Sequence, residues 1–408
     1  MLGSPLQLYP GPDEPVTQQR GGWHFSAVFA YGFRPFFLLA GLHASVAIPL
    51  WVALLHGAEL PRMPLPAHTW HAHEMLFGFV VAAVAGFLLT AVPSWTNRRG
   101  YAGLPLVSLV TIWLGGRLAM SVPLGLPSWL VAAVDLVFIP LLALAILPAL
   151  LRSGNRRNLA FIGLLVLLFA SNLHFHLLGG TSTGPLLLGF NVILFLVTML
   201  GGRIVPAFTS AGLKQQGLDV RIRRFQPLDR AALLAVAAVL VFDLFDSGSY
   251  FAGFVALVAA ALLAVQLAHW QGLRTSRLPL LWVLHLGYAW LPICLALKAA
   301  WLFGVPVASS SWLHALTVGA FGTMILGVMS RAALGHTGRQ LVAPAGAVAA
   351  YILITGAAIS RVFVPMLVPN AATLAPVLAG VLWTLAFGLF VVTYAPILLR
   401  PRADGRPG

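Results

Sequence analysis

The stretch Trp70–Gly78, W-H-A-H-E-M-L-F-G, places His71, His73 and Glu74 at the entrance of an uncharged segment that runs from Met75 to Val92. Eighteen residues without a charge suffice to cross the hydrocarbon core of a bilayer. Histidine and carboxylate are expensive at such a boundary unless they carry a function. Grouped together, they are the usual equipment for holding a metal or a haem iron.

The rest of the chain has the same character. Of 408 residues 60% are hydrophobic and 8% charged, against about a quarter charged in soluble domains. This composition predicts an all-α integral membrane protein whose helices pack against each other and against lipid. The formal charge of +14 does not signify nucleic-acid binding, because the arginines sit in short loops between apolar runs. The single Cys294 lies within an apolar run, which excludes a disulfide framework or a thiolate cluster. Residues 1–27 read as a polar N-terminal segment without a signal-peptide core, and 400–408 as a short polar tail, around one transmembrane domain.

About twelve apolar segments can be marked, at 28–55, 74–93, 104–120, 128–151, 159–178, 185–206, 230–245, 251–270, 280–303, 312–334, 344–364 and 374–399. Basic residues fall in every second loop: Arg98 and Arg99; Arg152, Arg156 and Arg157; Lys214, Arg221, Arg223 and Arg224; Arg274 and Arg277; Arg331 and Arg339. Arg62 is the exception among the alternate loops. The positive-inside rule then places both termini in the cytoplasm, and the longest loop, 207–229, on the same side.

That orientation gives each unusual residue a depth. His71, His73, Glu74, His174, His176 and His314 fall at or just below the outer surface, and so do Arg117, Lys298 and Arg361 near outer helix ends. His43 is mid-span and His285 is near the inner end of the ninth span. Imidazoles two residues apart point about 200° away from each other on a helix, so His71 and His73, or His174 and His176, serve different neighbours. The pairing read from the sequence is His73 with His314 as haem ligands. Each is followed five residues later by glycine, Gly78 and Gly319, where a flat macrocycle could approach the backbone. Arg117, Lys298 and Arg361 would meet the propionates, with Asp135 and Asp243 as alternative counter-charges. His71 with His174 or His176, and Glu74, would form a second centre suited to copper.

The second and tenth spans match without a gap: His73, Gly78, Gly86, Thr96 and Arg98 have the separations of His314, Gly319, Gly327, Thr337 and Arg339. The sixth joins through Pro206 and Thr209, which match Pro93 and Thr96, and through Arg203 and Thr209, which match Arg331 and Thr337. Spans four helices apart that share a direction suggest three four-helix units, an architecture like that of haem–copper oxidase catalytic subunits.

Four separated motifs, F-R-P-F-F at Phe33–Phe37, H-A-H-E-M-L-F-G-F at His71–Phe79, G-R-I-V-P-A-F-T at Gly202–Thr209 and H-A-L-T-V-G-A-F-G-T-M at His314–Met324, occur in order and resemble the NnrS family over nearly the whole chain. The resemblance implies a multi-pass protein of the bacterial inner membrane that contains haem, of the b type, and copper. It implies a role in protection against nitric oxide and nitrosative stress, tied to denitrification. Expected partners are nitric oxide or another small diatomic, membrane lipids and an electron-donor protein, with no nucleic acid. The resemblance does not decide whether the protein is an enzyme; an oxidoreductase would act on nitric oxide or nitrosylated iron. Two other readings stand beside it. A secondary transporter is disfavoured by the lack of charge at the midplane, and a haem or copper assembly factor fits the same residues.

The orientation has a direct check. A reporter fused into the 207–229 loop reads as cytoplasmic, and a periplasmic signal overturns every depth assigned above.

Overall fold

A computed structural model describes residues 27–58, 65–98, 100–154, 156–218, 220, 222 and 225–406. Residues 1–26, Arg62, Arg99, Arg221, Arg223 and Arg224 lie outside the described residues. The described chain is all-α. Its long helices are α1 (Phe33–Leu55), α2 (Ala67–Thr96), α3 (Leu104–Ser121), α4 (Ser128–Arg152), α5 (Arg157–Leu177), α6 (Leu186–Gln215), α7 (Gln226–Phe245), α8 (Tyr250–Ala268), α9 (Pro279–Leu302), α10 (Ser309–His336), α11 (Ala345–Leu367) and α12 (Ala375–Leu398). Eleven are long and apolar enough to cross a membrane. The twelfth, α7, has 20 residues and carries Asp229, Arg230 and Asp243.

Several helices outrun the apolar segments that announce them. α2 begins at Ala67 rather than near residue 74, and α6 continues to Gln215. Hydropathy marks only the lipid-facing stretch, whereas a 30-residue helix is about 45 Å long and projects past a hydrocarbon core of about 30 Å. The long 207–229 loop therefore shrinks to the stretch between Gln215 and Gln226, and Asp229 falls in the first turn of α7.

Sequential neighbours pack along most of the chain, and α1 packs extensively on α12, so the first and last helices meet. The interior belongs to α2, α6 and α10. They are the three most buried candidate spans, at 89%, 83% and 67%, against 28% for α1. They stand four helices apart, as the matched residues in the second, sixth and tenth segments anticipate. The equivalent threonines repeat one interaction: Thr96, Thr209 and Thr337 each donate a hydroxyl hydrogen bond to the carbonyl four residues earlier, on Val92, Val205 and Ala333. In lipid this keeps a hydroxyl satisfied without a partner helix.

The F-R-P-F-F motif explains how the bundle closes. Phe33, Phe36 and Phe37 are buried in the core, and Arg34 is fully buried beside them. Its guanidinium donates to the carbonyls of Leu398 and Arg400 at 2.9 and 2.7 Å, which are orphan acceptors at the C-terminal end of α12. Trp383 of α12 donates its indole N–H to the Ala44 carbonyl of α1. The tail then folds back on α10: Arg402 donates to the His336 carbonyl, and Ala403 N–H to that of Thr337. Arg402 also grips Asp404, whose carboxyl this hydrogen bonding holds down at about 2.

Replacing Arg34 with alanine leaves those α12 carbonyls without a charged donor, a loss of about 2–3 kcal/mol. The expected outcome is a lower unfolding midpoint in detergent, with faster amide exchange confined to residues 395–403. A midpoint equal to that of the parent shows that the α1–α12 closure does not depend on Arg34.

Candidate functional site

α2 carries polar side chains on two opposite faces. On one face lies a buried polar network. His73, Glu74 and Asp135 are buried at 0%, 0% and 3% exposure, in a bundle with few acidic side chains. Arg117 of α3 bridges the two carboxylates: NH1 donates to Glu74 Oε1 at 2.6 Å, and NH2 donates to Asp135 of α4. His73 Nδ1 lies 3.0 Å from Glu74 Oε1, and its Nε2 lies 2.9 Å from Asn172 Oδ1 and 3.2 Å from Asp135 Oδ2. His176 of α5 directs Nε2 to Asp135 Oδ2 at 2.9 Å, and Asn172 Nδ2 donates to the same oxygen. His43 of α1 completes the set, with Nε2 3.2 Å from the Glu74 carbonyl.

Four donor atoms thus face one another: His73 Nε2, His176 Nε2, Asp135 Oδ2 and Asn172 Oδ1. The first three residues offer ligand atoms within 4.8 Å of one another and form the one metal-competent group among the described residues. Glu74 stands behind them and receives the other ring nitrogen of His73. That carboxylate–histidine arrangement fixes the tautomer and orientation of a metal-bound imidazole. Arg117 in turn holds Glu74 and Asp135 in place through a two-pronged contact that lysine cannot reproduce.

The opposite face of α2 opens on an apolar cavity of about 110 Å³. His71 lines it from α2, His314 from α10 and Arg361 from α11, among Trp51, Met75, Phe79, Phe321 and Trp383. His71 stacks on Trp51 at 4.2 Å, and its Nδ1 is buried without a hydrogen-bond partner. His314 Nδ1 donates to the Ser310 carbonyl at 2.7 Å, which leaves Nε2 with its lone pair. The Nε of Arg361 is likewise buried and unpartnered. Apolar walls with a few convergent polar groups are ordinary features of a cofactor site.

The backbone marks the same places. α2 is π-helical over Glu74–Val80 and α10 over Ala315–Gly322. Each stretch begins one residue after the histidine of the matched pair, His73 and His314. Single π turns are rare and cluster at functional sites, because they re-aim the side chains that follow.

The structure regroups the residues expected from the sequence. His73 does not line the cavity that His314 lines; its two nitrogens are engaged on the other side of α2. His71 lines that cavity instead, as the 200° separation of positions two apart permits. Glu74 and His176 join His73 rather than His71. His174 is exposed on α5. Of the three cations expected near propionates, Arg117 is taken by Glu74 and Asp135. Lys298 pairs with Asp243, which also receives Asn191 Nδ2 at 2.7 Å. Arg361 alone of the three faces the cavity. Gly78 and Gly319 do admit flat groups, but these are rings of the protein itself. A Cβ there would lie 2.3 Å from His43 Nε2 and 2.4 Å from the Trp290 ring, respectively.

Asn172 escaped the sequence reading, and His43 was placed mid-span without a role. Asn172 sits two and four residues before His174 and His176, so the i, i+4 relation to His176 was the available signal. Asp229 was assigned to a loop, yet it accepts from Gln266, which in turn accepts from the buried Tyr288 hydroxyl at 2.6 Å. His285 lies 2.8 Å from Thr209, as a structural histidine would.

An all-helical multi-pass membrane protein with a buried His/Asp metal-competent group is the class these features define. A family model described as NnrS protein matches residues 27–402, and the chain belongs to that family. Membership makes it a nitric-oxide-related membrane protein of a metal-associated family. No curated protein matches the chain.

Arg117→Gln strands two buried carboxylates. Loss of one partner from a buried pair costs about 3–5 kcal/mol. A clearly lowered unfolding midpoint is expected, partly restored when Asp135→Asn is added to remove one uncompensated charge. A single variant as stable as the parent would sink the account of Arg117 as the counter-charge of the network.

Proposed function

We propose that the protein is a haem- and copper-containing membrane protein that binds nitric oxide and protects the cell from nitrosative stress. The observation that carries this reading is the convergence of His71, His314 and the unpaired Arg361 on one apolar cavity. The residues fit a haem. Two imidazoles without a metal-side partner face one apolar cavity, and a buried guanidinium nitrogen lacks an acceptor. The single Cys294 rules out covalent C-x-x-C-H attachment, which favours the b type. When bound, the haem would supply an iron centre able to take a small diatomic such as nitric oxide.

The chain's own residues do the rest. The Ser310 carbonyl orients His314 by accepting a hydrogen bond from Nδ1–H, which leaves Nε2 toward the cavity. Trp51 fixes the plane of His71. Phe79, Phe321 and Trp383 exclude water, and Arg361 offers charge-assisted hydrogen bonds to a propionate. His73, His176 and Asp135, with Asn172 beside them, would hold copper, for which imidazole is a good ligand. His71 and His73 are two residues apart, so the centres would occupy the two sides of one helix. Nitric oxide is small and apolar and can arrive through the bilayer, so no charged substrate funnel is required.

An optical spectrum of protein purified from its membrane tests this reading. A Soret band is expected in the parent. His71→Ala and His314→Ala each lower haem content at least fivefold while copper content holds. His73→Ala and Asp135→Asn lower copper while haem holds. A folded parent without a Soret band overturns the proposal and returns the field to the transporter and assembly-factor readings. Cells lacking the protein accumulate nitrosylated iron under nitric oxide, and indistinguishable signals in mutant and parent count against the protective role.

A further inference from the structure

A second pocket, unrelated to the histidines, lies near the ends of α2 and α4 at one boundary of the bundle. Its volume is 280 Å³. Leu89, Val92, Pro93, Leu144, Ala145 and Pro148 supply apolar walls, while Arg98, Arg152 and Tyr101 stand around them.

Two prolines line the pocket. Pro93 has no N–H for the carbonyl of Leu89, and Pro148 has none for that of Leu144. Both interrupted turns face the pocket, where each helix has lost a backbone hydrogen bond. The charges are unbalanced as well. Arg98 and Arg152 are exposed at their helix ends, and neither forms an ion pair with a carboxylate among the described residues. The chain has ten acidic residues, and the two on α2 and α4, Glu74 and Asp135, lie toward the other end of these helices and are committed to Arg117. Two guanidiniums and a phenol above an apolar slot match one ligand chemistry: a phosphate diester with acyl chains attached. A free phosphate would satisfy the arginines but leave the slot empty, whereas a phospholipid fills both.

We infer that the cleft between α2 and α4 is a binding site for an anionic phospholipid, whose headgroup phosphate is held by Arg98 and Arg152 while an acyl chain lies against Pro93 and Pro148. Basic pockets between transmembrane helices at a membrane boundary are recognised sites for such headgroups. The site is independent of the metal centres, so its test does not depend on them.

The experiment measures lipid retained by the full chain after extensive detergent washing, by native mass spectrometry and phosphorus assay. It adds thermal unfolding in nanodiscs of phosphatidylcholine alone or with phosphatidylglycerol at one lipid in five. The parent is expected to keep phosphatidylglycerol or cardiolipin and to unfold several degrees higher in the anionic discs. R98Q/R152Q should lose the retained lipid and that increment, whereas R274Q/R277Q, on another basic loop, should keep both. Ala145→Phe fills the slot without changing charge, and it should expel the lipid even if the double arginine variant folds poorly. Equal retention by the parent, R98Q/R152Q and Ala145→Phe overturns the proposal. So does a stabilisation reproduced in full by millimolar inorganic phosphate, which would mark an anion site without a lipid.

Discussion

Arg117 is the group on which the arrangement of the site depends. It reaches from α3 to carboxylates on α2 and α4, and those carboxylates hold imidazoles from α2 and α5. Within lipid no water is at hand to solvate an unpaired charge, so such a cluster forms as a whole or costs several kcal/mol for each missing member. One guanidinium thereby fixes the relative positions of four helices. The exposed side of the same bundle is Leu, Val and Phe, which any apolar neighbour or lipid tail can satisfy. The polar cluster, not the apolar packing, gives this part of the molecule its specificity.

α2 is the element that relates the polar cluster to the cavity. It is the most buried span, and its π-helical stretch starts at Glu74. A regular α-helix would carry His71 and His73 on different faces in any case. The wider turn that follows sets where Met75, Phe79 and Val80 emerge, and these three line the same cavity as His71. α10 repeats the device one residue after His314. Two inner helices with matched glycines, matched threonines and matched π stretches thus frame the cavity between them. The third inner helix, α6, retains the threonine and not the π stretch.

The glycines show how an interaction can be anticipated in kind while its partner is not. Gly78 and Gly319 mark close approach of a planar group to the backbone. The groups are His43 and Trp290, each from a neighbouring helix that packs on the inner one. His43 also reaches the Glu74 carbonyl, so the small residue at 78 lets α1 contribute to the polar network. A methyl group at either position would have to displace a buried ring.

The sequence by itself determined the all-helical membrane fold, the twelve long helices and the fourfold spacing of the inner three. These follow from local composition: apolar runs long enough for a bilayer, turns rich in Gly and Pro, and residues repeated at a fixed offset. It also determined which residue types would be costly in lipid, hence His71, His73, Glu74, Arg117, Lys298, His314 and Arg361 as the ones to explain. Only the tertiary structure decided who meets whom. Span direction leads to an expected depth along the membrane normal, but it says nothing of position around the bundle. Lys298 and Arg361 are expected at similar depths from the sequence, yet one meets Asp243 and the other an apolar cavity. The sequence pattern matches His73 to His314, yet the rotation of α2 assigns the cavity to His71. That rotation is set by the contacts of α2 with α1, α3, α4 and α6 together, which no single segment of sequence encodes.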